Sequence, residues 1–191
     1  MIRAGTISDI DSILNITKSC AAHMIQNGIY QWNEHYPDKS SFVNDAENNE
    51  LYVYVENEKV IACISLCNEM DEVYIPVTWK TKNQNNLYIH RLAVCPDFQK
   101  KGVGRDLMNF AENFAKKKEY KSIRLDTFSK NKRNLKFYES RGYHRLESIY
   151  FPKQSEFPFY CYDFVKLLIH SNKKEIHFAL ENIYFLIDDS P

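Results

Sequence analysis

The strongest chemical signal in the sequence is a basic turn with two glycines, residues 99–105, Gln-Lys-Lys-Gly-Val-Gly-Arg. It follows an apolar run that Pro96 ends, since proline cannot donate to a strand ladder, and it leads into an amphipathic helical pattern. Glycine tolerates positive φ and lets a ligand approach the backbone closely. Free N–H groups at the start of a helix bind anions, helped by the positive end of the helix dipole. The turn therefore predicts a pyrophosphate site.

The glycine spacing narrows the kind of nucleotide that this turn could hold. A P-loop requires GxxxxGK[ST], which the sequence lacks, and a dinucleotide fingerprint requires a third glycine where Leu107 stands. What remains is a QxxGxG turn formed by Gln99, Gly102 and Gly104. By itself such a turn is modest evidence, because a glycine pair before a helix is often only a tight turn.

A second segment, residues 131–143, reads Asn-Lys-Arg-Asn-Leu-Lys-Phe-Tyr-Glu-Ser-Arg-Gly-Tyr and is predicted to be a helix ended by Gly142. Together with the run 88–104, it resembles the GNAT superfamily of acyl-CoA-dependent N-acetyltransferases. The resemblance covers residues 2–166 and is strongest over 87–143, where two separate motifs occur in the family's order. It implies acetyl-CoA as the donor and coenzyme A as the product that leaves.

The resemblance also implies roles for single residues. It places the pyrophosphate on residues 99–104 and the Arg105 amide, the pantetheine arm along the backbone of 92–94, and Tyr138 near the thioester sulfur. Position 134 is Asn where the family often has Ala, so this side chain either adds a polar contact or caps a helix. The resulting cofactor-binding set is Leu92, Ala93, Val94, Gln99, Lys100, Lys101, Gly102, Val103, Gly104, Arg105, Asn131, Asn134 and Tyr138.

Acetyl transfer to an amine needs a neutral amine, a stabilised carbonyl oxygen and a protonated leaving thiol. Backbone N–H groups near 92–94 are the expected oxyanion donors. A tyrosine hydroxyl, with a pKa of about 10, can protonate a thiolate whose acid has a pKa of about 8.5. The resemblance implies this general-acid role for Tyr138, the alternative being a core aromatic residue like Phe137. Transfer is expected to be direct, because no His or Asp partner is indicated for Cys95 as a nucleophile.

The general base is the open question. An alkylamine has a pKa of about 10.4, so a base or a water chain must take its proton. His90 is a candidate because an unperturbed imidazole titrates near neutrality, although strand alternation puts it on the same face as Leu92 and Val94, where a half-buried structural histidine is the competing interpretation. The other candidates are Glu72, Glu34 and His35. The sequence does not choose among them.

Two long segments, residues 28–37 and 68–86, are expected to flank the acceptor side. Their aromatic rings could form a wall for a cation, at about 0.5–2 kcal/mol each, or could pack on the core. The predicted substrate-binding residues are Tyr30, Trp32, Glu34, Tyr36 and Trp79, with Asp71 and Glu72 adding negative charge. A small-molecule amine, a peptide N-terminus and a lysine side chain all suit such an acceptor site.

Hydrophobic periodicity gives the element order β-α-α-β-β-β-α-β-α-β-β. The predicted strands are 2–4, 51–55, 60–66, 87–94, 121–128, 143–151 and 157–167. The predicted helices begin at Ser8, at Ser40 or Ser41, at Gly102 or Gly104, and at Asn131. This order predicts an α/β (α+β) protein with a single mixed, mostly antiparallel sheet of about seven strands flanked by helices.

The chain is expected to contain one acetyltransferase-like domain at 1–168 and an extension at 169–191. The extension carries a helical apolar stripe, made up of Ile176, Ala179, Leu180, Ile183 and Ile187. This helix is expected to dock on its own domain, and a contact in a homodimer is the second interpretation. Residues 183–187 could instead form a strand.

Composition argues against several other classes of protein. Hydrophobic residues make up 44% of the 191 residues, and 25 basic residues balance 25 acidic ones, so no nucleic-acid partner is expected. No apolar run approaches the ~20 residues of a membrane span, and no signal peptide is visible. The five cysteines lack zinc spacing, so no metal site is expected. Their scattered positions favour free thiols, and a reducing, cytoplasmic location is therefore expected. A non-catalytic acyl-CoA-binding sensor on the same fold is the alternative to an enzyme.

Overall fold

The computed structural model describes residues 1–33, 35–152 and 154–165. The strands are β1 Ile2–Ala4, β2 Leu51–Glu56, β3 Lys59–Cys67, β4 Leu87–Val94, β5 Ile123–Phe128, β6 His144–Ile149 and β7 Phe159–Phe164. The α-helices are α1 Ile10–Gln26, α2 Lys39–Glu47, α3 Val103–Lys117 and α4 Lys132–Ser140. Short 3₁₀ turns occur at Ile7–Asp9, Glu72–Tyr74 and Pro96–Phe98. The predicted helical extension at 169–191 lies outside the described residues.

The seven strands form one sheet in the order β1-β2-β3-β4-β5-β7-β6. Neighbouring strands are antiparallel, except that β4 and β5 run parallel. This parallel pairing covers Leu87↔Ile123 and Tyr88↔Arg124, so the two strands separate toward their C-terminal ends. The gap between them is called the β4–β5 opening below. The predicted mixed, mostly antiparallel sheet of seven strands is confirmed.

Helices cover both faces of the sheet. On the α3–α4 face, Leu107 packs with Leu125 in the main apolar cluster. On the α1–α2 face, Ile13 packs with Val53 in a second cluster, and Tyr74 is at the centre of a third. In the described ranges, no helix combines the length and the apolar character needed to cross a membrane.

A β-bulge in β4 decides which face His90 occupies. The β3–β4 pairing shifts register beside Arg91, whose φ is 52°, because β4 inserts one residue that has no counterpart on β3. The His90 ring consequently stacks on Tyr74 on the α1–α2 face, with centroids 6.1 Å apart, whereas Leu92 packs into the cluster on the α3–α4 face. The prediction that His90 and Leu92 share a face is wrong, since simple alternation fails across an inserted residue.

Two helices begin at caps that differ from the predicted ones. Thr6 forms a capping box with Asp9 ahead of α1, where Ser8 was expected. At α2 the cap is Asp38, which accepts the Ser41 N–H at 2.9 Å. Several short polar side chains stand near each start, and any of them can accept a first-turn N–H. Tertiary packing of the first turn selects among them.

A buried arginine fixes the long segment between β3 and β4. Arg124 is fully buried and donates to the carbonyl oxygens of Thr81 and Lys82 at 2.7 and 3.2 Å. Its guanidinium also lies 4.4 Å from the centroid of the Trp79 ring. Asp163, likewise fully buried, accepts the Lys80 N–H of the same segment at 3.0 Å, and burial raises the pKa of this carboxyl, with a smaller opposing effect of Arg124. The segment is therefore held against β5 by one charged side chain.

Replacing Arg124 with Met is expected to lower the free energy of unfolding by about 3–5 kcal/mol, because several buried hydrogen-bond acceptors lose their donor at about 1–3 kcal/mol each. Urea unfolding measures this loss. Arg145→Met is the matched control, since Arg145 is exposed and stacks on Tyr160, and it should cost less than about 1 kcal/mol. An Arg124 variant as stable as the parent would contradict the anchoring role.

Candidate active site

A cavity of about 670 Å³ brings the two sequence motifs together. The predicted cofactor-binding residues that line it are Leu92, Ala93, Val94, Gln99, Lys100, Gly102, Gly104, Arg105, Asn131, Asn134 and Tyr138. Lys101 and Val103 do not line it. The Lys101 ammonium lies 5.0 Å from the Phe98 ring centroid, and Val103 is buried in the core. The cavity is thus formed mainly by the residues that the two motifs contribute.

The basic turn presents free backbone amides at the start of α3. Gly102 has φ of 92°, a left-handed conformation that glycine adopts without strain. The Asp106 N–H donates to the Gly102 carbonyl at 3.0 Å and so opens the helical ladder. The amides of residues 103–105 come before this bond and have no helical acceptor. They form the anion-binding end of the helix that the sequence predicted.

Gly104 keeps this end of the helix accessible. A Cβ built on Gly104 would have Val94 Cγ2, at 3.8 Å, as its nearest neighbour, which is an ordinary contact. The packing of the protein therefore does not require glycine here. A glycine that lines a cavity without being needed by the fold fits a ligand that approaches the backbone closely, and the diphosphate of coenzyme A has the charge that this cradle accepts.

Gln99 is held in the turn by two hydrogen bonds. Its Nε2 donates to the Val94 carbonyl at 3.1 Å, and its Oε1 accepts from Arg133 Nη1 at 2.9 Å. Arg133 also lines the cavity, so its charge adds to those of Lys100 and Arg105 around the predicted pyrophosphate site. Arg133 lies inside the second motif but was not among the predicted site residues.

The second motif forms the opposite wall of the cavity. Asn131 caps α4 by accepting the Asn134 N–H at 3.2 Å, and its Nδ2 donates to Gln31 Oε1 at 3.2 Å. Asn134 Nδ2 contacts Thr127 Oγ1 on β5 at 3.4 Å. Of the two roles considered for Asn134, capping thus falls to Asn131, and Asn134 instead joins α4 to the sheet.

Tyr138 lies in the wall of the cavity and is 6% exposed. Its ring packs against those of Tyr143 and Tyr162, each with centroids 5.9 Å away. Burial raises the pKa of its hydroxyl above the ordinary value of 10, and the negative charge of Asp126 raises it further. The hydroxyl is therefore protonated at neutral pH, as a proton donor must be.

Of the predicted general bases that lie within the described residues, none lines this cavity. Burial, together with the charge of Arg91, lowers the pKa of His90 to about 3, so the imidazole is neutral at pH 7 and accepts a proton weakly. Glu72 is exposed in the 3₁₀ turn after β3, and His35 is exposed in the α1–α2 connection. Glu34 lies outside the described residues.

A second, more polar cavity of about 450 Å³ lies on the α1–α2 face, with His90 and Arg91 in its wall. Arg91 donates to both carboxylate oxygens of Asp45, at 2.7 and 2.5 Å. Ser65 Oγ donates to the same carboxylate at 2.5 Å. This buried ion pair ties the bulge of β4 to α2 and uses the hydrogen-bonding capacity of Asp45.

The aromatic residues of the α1–α2 connection differ in position. Trp32 is buried and lines the 670 Å³ cavity, whereas Tyr30 is 55% exposed. Tyr36 is partly buried, and burial raises the pKa of its hydroxyl, with opposing effects from the nearby charges of Arg91 and Asp126. Tyr36 thus lies close enough to feel the charges of Arg91 and Asp126, and Trp32 lines the 670 Å³ cavity.

Trp79 has a different neighbourhood from the other predicted substrate residues. It stacks on the buried Arg124, and its indole N–H donates to the Tyr74 carbonyl at 3.3 Å. The two long segments therefore do not contribute equally to one aromatic wall. The observed contacts of Trp79 anchor the β3–β4 segment.

Sequence reasoning missed a carboxylate at the β4–β5 opening. Asp126 on β5 is partly buried, and the Tyr74 hydroxyl donates a hydrogen bond to its Oδ1. Burial raises the pKa of Asp126 from 3.8 to about 6, with a smaller rise from the charge of Asp71 and an opposing effect of the Tyr74 bond. The sequence signal that could have indicated it is a charged residue inside an apolar strand, because aspartates are seldom buried unless they are paired.

Helix α1 and the chain after it form a wall that the sequence analysis did not assign to the site. The lining residues from this region, other than Trp32, are Cys20, His23, Met24, Asn27, Ile29 and Gln31. Cys20 Sγ contacts the Val94 carbonyl at 3.1 Å, which places α1 directly against β4. The amphipathic pattern of α1 predicts which face of the helix is buried, but it does not predict that this face packs against β4.

Comparisons with known proteins find relatives in sequence and in fold. The chain is 25% identical over 137 residues to the uncharacterized N-acetyltransferase YesJ of Bacillus subtilis (strain 168), covering 71% of this chain and 76% of YesJ. A Staphylococcus aureus Mu50 protein whose name assigns it to the acetyltransferases is 28% identical, with a TM-score of 0.66 over 85% of this chain and 97% of that one. The PaiA N-acetyltransferase of Thermoplasma acidophilum, solved with coenzyme A, is 19% identical, with a TM-score of 0.63 over 85% and 97% of the two chains.

The sequence profile of the Acetyltransferase (GNAT) family matches residues 10–143. This range contains the basic turn, β4, β5 and Tyr138, and it covers more than half of the chain. The chain therefore belongs to the Acetyltransferase (GNAT) family, which confirms the family, the fold and the acetyl-CoA-dependent acetyltransferase class predicted from the sequence.

Proposed function

We propose that this protein transfers the acetyl group of acetyl-CoA directly to a primary amine of a small molecule or a peptide. The observation that carries the proposal is that the turn at 99–105 and Tyr138 on α4 line one cavity beside the β4–β5 opening. When bound, acetyl-CoA supplies an acetyl group that its thioester already activates. The residues of the chain then bind the donor, orient the thioester and move protons.

The basic turn and β4 are the proposed binding elements for the donor. The free amides of residues 103–105 donate hydrogen bonds to the diphosphate, and the basic side chains around them neutralise its charge. Beyond Tyr88, the edge of β4 that faces β5 has no strand partner, so the pantetheine arm can add there as an extra strand. One of the amides at 92–94 then donates to the carbonyl oxygen as negative charge develops on it.

Tyr138 is the proposed general acid. Tyr138 lines the cavity, and its hydroxyl is protonated at neutral pH for the reason given above. The thiol that leaves has a pKa of about 8.5 in a cysteine-like reference compound, so the proton passes from Tyr138 to the sulfur as the thiolate forms. Asn131 holds the first turn of α4, and with it the position of this tyrosine.

A CoA-release screen tests the proposed function. The parent protein is mixed with acetyl-CoA and, in turn, with spermidine, an aminoglycoside, tyramine, single amino acids and lysine-containing peptides, and free thiol is followed over time. At least one amine is expected to raise thiol release well above the rate without acceptor. Calorimetric binding of coenzyme A with no release from any amine would instead support the non-catalytic sensor.

Mass spectrometry of the protein incubated with acetyl-CoA alone tests the direct route. A ternary-complex transfer leaves the chain unmodified. A stable acetyl group on Cys95 would overturn direct transfer, because it would identify a covalent intermediate.

A further inference from the structure

We propose that Asp126 receives the ammonium group of the acceptor at the β4–β5 opening and takes its proton. This inference rests on the proposed function and assigns the base that the sequence left open. It replaces none of the roles given to the turn or to Tyr138. It follows from the position of one carboxylate relative to the two faces of the sheet.

Asp126 stands where β4 and β5 part. The last β4–β5 pair is Tyr88↔Arg124, and Asp126 is two residues farther along β5, on the same face as Arg124. His90 has the corresponding position on β4. No β4 residue is paired with Asp126 across the gap. A substrate group can therefore enter between the two strands at this level of the sheet.

The Asp126 carboxylate and Tyr138 lie on opposite faces of the sheet at the opening. Asp126 pairs with Cys161 of the cluster around Tyr74 on the α1–α2 face. Its neighbour Thr127 points to the other face, where it contacts Asn134 of α4. Tyr138 is on that same helix and packs into the cluster of the α3–α4 face. An amine entering from the Asp126 side consequently meets a thioester held on the Tyr138 side, which is the arrangement that direct transfer requires.

In the part of the chain that the structure describes, one oxygen of the Asp126 carboxylate is held by a hydrogen bond, and the other is not. Tyr74 is fully buried, and its ring stacks with those of Tyr88 and His90 at 5.9 and 6.1 Å, so its hydroxyl is fixed where it donates to Asp126 Oδ1. Among the described residues, no hydrogen bond is made to Oδ2, and Asp126 keeps part of its surface exposed. One oxygen is thus a fixed acceptor for Tyr74, and the other is available to an ammonium group.

The charges around Asp126 favour a cationic acceptor. The titratable groups that act on it or feel its charge are Tyr36, Asp71, Tyr74, Tyr138 and Cys161. Two arginines of β4 and β5 are already engaged, because Arg91 is paired with Asp45 and Arg124 donates to carbonyl oxygens of the β3–β4 segment. Burial raises the pKa of Asp126 to about 6, so the carboxylate is charged at pH 7.5 and yet basic enough to accept a proton.

The proton balance of the transfer is complete with these two residues. The ammonium form of the acceptor gives one proton to Asp126, and its nitrogen lone pair forms the new C–N bond to the acetyl carbon. The C–S bond breaks, its electron pair leaves on sulfur, and Tyr138 protonates that sulfur. The second amine proton returns to the Tyr138 oxygen, and Asp126 releases its proton to water. One acetyl group moves, and one proton is released in total.

The pH dependence of kcat/KM for the amine tests Asp126. The fastest primary amine of the panel above is used with saturating acetyl-CoA, for the parent, Asp126→Asn and the exposed control Asp11→Asn. Asp126→Asn is expected to lose about 10²–10³-fold at pH 7.5. Because the parent needs the deprotonated carboxylate, the parent-to-variant ratio should fall about tenfold for each pH unit below 6. The control should follow the parent at every pH.

Tyr74→Phe provides a second variant that keeps the ring packing. The Tyr74 hydrogen bond lowers the pKa of Asp126, so its removal should move the acidic limb of the profile to higher pH. A residue that only supports the fold would change the rate without moving this limb. The proposal would be overturned if the acidic limb of Tyr74→Phe stayed at the parent's pH. It would also be overturned if Asp126→Asn kept the acidic limb and a rate within about threefold of the parent's.

Stability separates a base from a structural carboxylate. Since the folded pKa of Asp126 is raised above 3.8 to about 6, its contribution to stability is present below pH 3.8 and is lost as the pH rises through 6. Asp126→Asn should therefore melt at the same temperature as the parent or higher at pH 7.5. If the parent releases no CoA with any amine, the proposed function fails; if the parent is active and these shifts are absent, only the assignment of Asp126 fails.

Discussion

Tyr138→Phe is expected to lower kcat by about 10²–10⁴-fold, the range that general acid–base catalysis contributes, while the Kd of acetyl-CoA stays within about twofold. The variant removes one oxygen from a ring that already packs on Tyr143 and Tyr162. The ring contacts survive, and only the proton source for the leaving sulfur is lost. Single-turnover CoA release measures the rate, and calorimetry measures the affinity.

Tyr143→Phe is the matched control for this prediction. Tyr143 is buried in the same aromatic cluster, with its ring centroid 5.9 Å from that of Tyr138, but it does not line the cavity. Its variant should keep the parent's kcat. Equal rates for Tyr138→Phe and the parent would remove Tyr138 from the chemistry and leave it as a packing residue.

Gly104→Glu is expected to raise the Kd of coenzyme A by at least about 100-fold, because like charges brought together at a binding site cost several kcal/mol. The new side chain would occupy the space in front of the α3 amides, where the diphosphate is proposed to bind. Folding should be unaffected. The nearest protein atom to the new Cβ is Val94 Cγ2 at 3.8 Å, and an acidic residue in the first turn of a helix is favourable.

Asn113→Glu introduces the same side chain elsewhere on α3 and serves as its control. Asn113 is exposed and lies away from the residues that line the cavity. Calorimetric titration with coenzyme A should give the parent's Kd for Asn113→Glu and no measurable heat for Gly104→Glu. Parental affinity in the Gly104 variant would place the diphosphate somewhere other than this turn.

The features that could be predicted from the sequence are those with a local cause. The turn around Gly102 and the cap at Asn131 depend on residues next to one another in the chain, so their spacing alone indicates where α3 and α4 begin. The hairpin of β2 and β3 and the strand β4 follow from alternation and turn residues in the same way. The cavity then joins two motifs whose local structures were each predictable.

The features that could not be predicted depend on pairing across the sheet. The bulge at Arg91 is stabilised by Asp45, a residue far away in the sequence, and no local pattern indicates that β4 has one residue more than β3. Once the bulge is present, His90 turns away from the cofactor face. The importance of Asp126 depends in the same way on where β4 leaves β5, and so on their register.

The acceptor side shows the same limit of sequence reasoning. From the sequence alone, Trp32 and Trp79 are equally attractive as aromatic residues of long segments. In the structure, Trp32 lines the cavity and Trp79 stacks on Arg124. The difference arises from a buried cation on β5, whose burial cannot be inferred without the fold.

A crystal structure of the protein grown with coenzyme A tests the central claim most directly. The account predicts density for the diphosphate within hydrogen-bonding distance of the amides at 103–105, with the sulfur at the β4–β5 opening near the Tyr138 hydroxyl. Density for the nucleotide at another surface, with these amides still bonded only to water, would contradict it.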